Sequence, residues 1–187
     1  MPVPESPNRR VFLKTGALAL FAAPTLVEAA TTSPSGLKNL SERSLSFLNL
    51  HTGEALKTVY WQTGAYLPSS LDDINRVLRD HRTNEKHEID PKLLDLLCDL
   101  RLRLDTRESL QIISGYRSPI TNAMLRSHGG GVAAGSLHME GRAIDIRLPD
   151  VPLASLRDAA LDLGRGGVGY YAMSNFVHVD TGRVRRW

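Results

Sequence analysis

A single cysteine, Cys98, leaves the chain without a partner for an intramolecular disulfide. It sits in an apolar helical run with Leu93, Leu94, Leu96, Leu97 and Leu100, where a thiol serves as a small buried hydrophobe. Concentrated charge is also missing. Lys and Arg total 23 against 20 Asp and Glu, a net charge of +3. The basic residues are scattered, which argues against a nucleic-acid partner. Arg183, Arg185 and Arg186 are a small exception, read as solvated or substrate-facing. No internal repeat is present, and no apolar run beyond the N-terminal region is long enough to span a bilayer.

What is present begins with an address. Asn8-Arg9-Arg10-Val11-Phe12-Leu13-Lys14 resembles a twin-arginine export signal, and the apolar segment Gly16–Ala23 follows it. Val27-Glu28-Ala29 offers small residues where a signal peptidase reads. Residues 1–30 are therefore expected to be a removed signal and the mature chain to begin near Ala30. That length suffices for one core and falls short of two full domains. Residues 31–43 read as a linker, Ser/Thr/Pro/Gly-rich at first, and 44–187 as the domain.

Within the domain, Leu45–Leu50 and Leu56–Trp61 are β-prone runs around the hairpin signal His51-Thr52-Gly53-Glu54. A helix is expected to start near Ser69, carrying Ile74, Val77 and Leu78. Pro91 opens a second with Leu93, Leu94, Leu97, Leu100 and Leu104 on its apolar face. Strands are expected over Leu110–Ser114, Ala143–Leu148, Val168–Tyr171 and Phe176–Asp180, with helices over Thr121–Ser127 and Pro152–Leu163. Gly129-Gly130-Gly131 reads as a flexible loop. The pattern is α+β: a small antiparallel sheet with helices packed on one face.

Three polar groups fall at unusual places. Asp145 lies between Ile144 and Ile146, His178 between Val177 and Val179, and His138 in the segment Ser136–Ile146. Two imidazoles and a carboxylate are the ligand set of a catalytic zinc site with a position left for water. Each is equally readable, taken alone, as a hydrogen-bonded polar residue of the core.

Ser136-x-His138-x-x-Gly141-x-Ala143-x-Asp145, followed by His178, resembles the zinc D-alanyl-D-alanine peptidases, of the superfamily that includes lysostaphin-type enzymes and hedgehog domains. Ser114-Gly115-Tyr116-Arg117-Ser118 and Phe176–Trp187 are similar to further blocks of its YcbK-like branch, periplasmic murein endopeptidases with twin-arginine signals. The similarity covers about residues 44–187 and is densest from Ser114 onward. The resemblance implies one zinc ion per chain on His138, Asp145 and His178, with Arg117 over the reacting carbonyl oxygen. It also implies a turn at Gly141, with Ser136 and Tyr116 as substrate-binding candidates, Tyr116 being readable as core or as pocket wall.

The chain departs from relatives in one respect. Where dipeptidase relatives place a general-base glutamate stands Asn175, and where lysostaphin-type relatives place a histidine stands Phe176. Asp180, two residues beyond His178 and on the same strand face, is the expected general base or the residue that orients His178. Glu140 is a second candidate, and His128 could reach the site from the glycine loop. His51, His81 and His87 are expected at the surface. The implied function is cleavage of peptidoglycan peptide stems and crosslinks in the periplasm of a Gram-negative bacterium, after export by the twin-arginine machinery. The alternatives are a D-alanyl-D-alanine carboxypeptidase and a non-catalytic, metal-containing wall-binding domain.

Overall fold

Proline opens three of the helices, because it has no N–H to lose in the first turn and a φ already close to helical. These are α1 (Pro68–Val77), α2 (Pro91–Arg103) and α3 (Pro119–Ser127). Side chains complete two of the starts: Asp90 accepts from the Lys92 amide at 2.9 Å and Ser118 from the Thr121 amide at 3.2 Å. α4 covers Leu153–Leu163. The computed structural model describes residues 1–2, 36–129 and 133–187. The expected signal, most of the linker, and Gly130 and Gly131 lie outside them. The chain divides into two units, Met1–Thr31 and Thr32–Trp187, and all that follows concerns the second. Among the described residues, no helix is long and apolar enough to cross a membrane.

Eight strands form one sheet: β1 (Glu42–Asn49), β2 (Ala55–Gln62), β3 (Ala65–Tyr66), β4 (Leu110–Ser114), β5 (Ala143–Arg147), β6 (Gly167–Tyr171), β7 (Phe176–Asp180) and β8 (Arg185–Arg186). Their spatial order is β3-β2-β1-β4-β5-β7-β6-β8. The fold is α+β, as expected, but the sheet is mixed: β1 pairs with β4, and β6 with β8, in parallel. The long excursion through α1 and α2 is what lets β4 return beside β1 in the same direction. The last part of the expected linker also belongs to the fold. A 3-10 turn over Gly36–Asn39 buries Leu37 against the core, and β1 begins at Glu42.

The two faces of the sheet differ. Leu110, Ile112, Ile144, Ile146, Val168, Val177 and Val179 enter one apolar cluster with residues of α1, α2 and α4. In α2, Leu93, Leu94, Leu97 and Leu100 are fully buried in it, and each such side chain contributes about 1.5–3 kcal/mol. α3 adds no residue to this cluster. With a period of two, the alternate residues of β5 and β7 must point to the other face. Among those residues are Asp145, His178 and Asp180.

Candidate metal centre

Asp145 and His178 are cross-strand partners in the antiparallel pair of β5 and β7, so their side chains stand together on one face. Their neighbours Ile144, Ile146, Val177 and Val179 anchor both strands in the core behind them. His138 comes from a different element, the 3-10 turn Leu137–Glu140. Gly141 ends that turn at φ +64°, and a Cβ there would collide with the Glu88 carbonyl, so only glycine fits. The turn is fastened to the loop after β4 on two sides. The Arg117 amide donates to the His138 carbonyl at 3.1 Å, and the His138 Nδ1–H donates to the Gly115 carbonyl at 2.8 Å.

These bonds decide which ring nitrogens remain. A carbonyl can only accept, so His138 keeps its lone pair on Nε2. His178 donates from Nε2 to the Asp180 carboxylate at 3.1 Å, which leaves its lone pair on Nδ1. The free nitrogens lie 3.2 Å apart, and Asp145 Oδ1 lies 3.3 Å from His138 Nε2 and 2.8 Å from His178 Nδ1. Donor atoms bound at 2.0–2.1 Å to one tetrahedral ion stand about 3.3 Å apart. Three lone-pair donors of the zinc-favoured kind therefore converge at the spacing one small cation requires, and all three residues are buried. Burial alone would raise the Asp145 carboxyl, but when His138 and His178 are protonated their facing nitrogens become donors, and their charge outweighs burial and holds it well below the usual carboxylate range. Burial would likewise lower His178, but the Asp145 and Asp180 carboxylates, which accept from the ring in its protonated form, raise it.

Asp180 lies behind His178. It is fully buried, and its oxygens accept from five donors: His178 Nε2 at 3.1 Å, the Gly167 amide at 3.0 Å, the Gly182 amide at 2.8 Å, and Arg185 at 3.2 and 2.7 Å. Burial opposes its ionisation, and these donors more than compensate, so it stays ionised well below the usual range. It does not line the cleft above the cluster.

That cleft encloses about 350 Å³. Arg117 and Ser136 line it beside the three candidate ligands. The Arg117 guanidinium stands 3.7 Å from Asp145 Oδ2 and 3.3 Å from the Ser114 hydroxyl, with its buried Nε lacking any hydrogen-bond partner. Burial lowers its pKa from the ordinary arginine value. Ser136 precedes the 3-10 turn without capping it through its side chain.

Other candidates fall elsewhere. Of the two readings of Tyr116, pocket wall and core, the structure shows core: it is 5% exposed, stacks on His87 at 4.7 Å and donates to Glu85 at 3.0 Å. The reason is local, since Gly115 is pressed against the Leu78 carbonyl and the Tyr116 amide donates to that same carbonyl at 2.8 Å. The ring is thereby turned under the α1–α2 connection, and burial with Glu85 pushes its hydroxyl up to about 12. Glu140 is exposed and pairs with Arg142 at 3.0 Å. His128 is exposed and bonds back to the Met124 carbonyl at 2.7 Å. His51 and His81 stack on each other at 3.8 Å, away from the cleft. Asn175 occupies a left-handed position, φ 54°, in the β6–β7 turn, which asparagine tolerates well.

With this geometry in view, the comparisons with known proteins are direct. Residues 38–187 match the peptidase family described as peptidoglycan L,D-endopeptidase MepK. The chain belongs to this family. Among its relatives, the peptidoglycan L,D-endopeptidase MepK of Escherichia coli is 43% identical over 182 residues, 96% of this chain and 97% of the relative. The protein of that name from Shigella flexneri matches to the same extent. A Haemophilus influenzae relative is 40% identical over 183 residues, 96% of this chain and 95% of its own length.

Two residues to which the sequence assigns no site role, Tyr171 and Trp187, line the cleft, and Arg185 lines it with them. Arg185 had been read only as solvated or substrate-facing. The one sequence signal for Trp187 is Gly169, a strand glycine whose lack of a side chain leaves room for something large.

Proposed function

We propose that this chain is an exported, zinc-dependent peptidoglycan hydrolase that cleaves peptide crosslinks. One observation carries the reading: His138 Nε2, Asp145 Oδ1 and His178 Nδ1 converge at the floor of a cleft that Arg117 overlooks. Family membership and the L,D-endopeptidase description of the relatives supply the substrate class. A zinc ion on these three residues would supply Lewis acidity, activating water and polarising the scissile carbonyl.

The protein's own residues do the remainder. Arg117, its position fixed by the bond between its amide and His138, stabilises negative charge as it develops on the carbonyl oxygen. Its guanidinium lines the cleft and stands 3.7 Å from Asp145, which leaves donors for that oxygen. Asp180 acts as the orienting residue of His178 rather than as the proton acceptor, because all five of its contacts are donors and it is buried without lining the cleft. Ser136 offers a hydroxyl to the substrate backbone. Residues 1–30 act as a twin-arginine signal, which places the folded enzyme in the periplasm with the wall.

The test is digestion of crosslinked muropeptides by the purified mature chain, before and after chelation, with products identified by mass. Cleavage between an L- and a D-centre, lost on chelation and restored by zinc, is the expected result. Release of terminal D-alanine alone would replace this reading with the carboxypeptidase one. Zinc binding without cleavage of any stem or crosslink would favour a wall-binding domain.

A further inference from the structure

The last residues of the chain are built into the cleft. β8 pairs with the edge strand β6, and the ladder continues through Trp187, whose amide donates to the Val168 carbonyl at 3.2 Å and whose carbonyl accepts from the Tyr170 amide at 3.0 Å. This brings the indole over Gly169, the residue opposite His178 in the β6–β7 pair. A Cβ on Gly169 would come within 2.7–2.8 Å of three indole atoms, so the ring rests directly on bare backbone. The indole N–H donates to the Tyr171 hydroxyl at 2.7 Å, and Tyr171 in turn stacks on Phe176 at 4.5 Å. Beneath the indole, the His178 ring lies 5.2 Å away. Arg185, whose guanidinium grips Asp180, covers the indole at 4.9 Å from its centroid.

Trp187 is thus fixed by backbone, hydrogen bond and packing, yet half of its surface stays open. A tryptophan that only capped an edge strand would gain by burying that surface. An immobilised aromatic with half its surface open in a cleft beside a reactive centre is instead the kind of group that anchors a ligand, because its ordering entropy is already lost before binding. The same cleft is lined by Arg117, Ser136 and His138, which suit the carbonyl and amide groups of a peptide. The aromatic rings of Tyr171, Phe176 and Trp187, which line it too, offer apolar surface.

We infer that Trp187 is a substrate-positioning residue, whose indole forms the wall for the aliphatic part of the peptide stem next to the bond being cut. This rests on the peptidase reading above. Gly169 is part of the same device, since its missing side chain lets the indole settle beside His178.

The experiment measures Kd of an intact crosslinked muropeptide for the chelated protein, and KM and kcat for the zinc-loaded one. Trp187→Ala is expected to weaken Kd and raise KM about tenfold while kcat falls less than threefold. Trp187→Phe, which keeps an apolar ring but loses the bond to Tyr171, should recover most of the affinity. Gly169→Ala should match Trp187→Ala, because the added methyl displaces the indole, and the double variant should be no worse than either single one. Unaltered Kd and KM in all of these variants, with cleavage by the parent chain intact, would overturn the inference alone. A fall in kcat with no change in Kd or KM would do so as well, since it would mark a structural brace for His178. Absence of both binding and cleavage by the parent chain would overturn the peptidase reading, and the wall with it.

Discussion

Asp95 and Asp145 are both buried carboxylates, 9% and 6% exposed, and their surroundings separate a brace from a reactive site. Asp95 Oδ1 accepts from Arg43 at 2.8 Å and from the Tyr60 hydroxyl at 2.9 Å, and Oδ2 accepts from the Tyr66 hydroxyl at 2.8 Å. Every partner brings its own proton, and the group ties α2 to β1, β2 and β3. Asp145 meets two imidazoles whose other nitrogens are already committed to Gly115 and Asp180, so both present lone pairs to the same point. Its nearest guanidinium stops at 3.7 Å. A buried charge saturated by donors is structure, whereas one facing other lone pairs awaits a cation.

The comparison breaks most sharply by deletion. Asp145→Ala should abolish zinc retention and lower kcat/KM on crosslinked muropeptides by more than about a thousandfold, without lowering the melting temperature of the metal-free protein. Asp95→Ala should do the reverse. It leaves Arg43 buried without its carboxylate and costs about 3 kcal/mol in denaturant titrations, with zinc stoichiometry intact. Zinc loss in Asp95→Ala at full folding would contradict the division.

Arg117→Lys sharpens the contrast from the cleft side. A lysine cannot reproduce the guanidinium fork, so kcat should fall about a hundredfold or more while zinc stays bound. Asp180→Asn should loosen zinc by about 10–100-fold, the usual cost of losing a carboxylate behind a histidine ligand. Cleavage should return at saturating zinc, and its total loss there would reinstate Asp180 as the proton acceptor.

The smallest effect concerns pH. Asp80 is a carboxylate of the Asp95 kind, accepting from the Ser118 amide at 2.8 Å and the Arg82 amide at 2.9 Å. Burial opposes its charge, but these donors win and hold its folded pKa below the ordinary value. A depressed folded pKa stabilises the fold above the unfolded pKa of about 3.9 and loses that contribution as pH falls toward the folded value. Asp80→Ala should therefore cost about 2 kcal/mol at pH 7. The gap from the parent chain should narrow steadily below about pH 4, as urea midpoints would show.

Much of this was legible in the chain. The leucine face of α2 and the apolar partners of Asp145 and His178 announce themselves by period, and β4, β5, β6, β7 and α4 lie within a residue or two of where the pattern puts them. β3 and β8 were not legible, because two residues carry no period. The parallel pairing of β1 with β4 is a long-range choice that local pattern does not encode. Tyr116 stayed open between core and cleft because its direction is set by the contact of Gly115 with Leu78, a packing event invisible in one dimension. Trp187 was missed for the same reason as β8. Its role depends on which strand the chain end joins.

The most direct test of the central claim is a zinc-edge anomalous difference map from crystals of the purified mature chain. The account predicts one peak per chain, within about 2.0–2.2 Å of His138 Nε2, Asp145 Oδ1 and His178 Nδ1. A zinc-soaked crystal with no peak there, or with its peak on other residues, would contradict it.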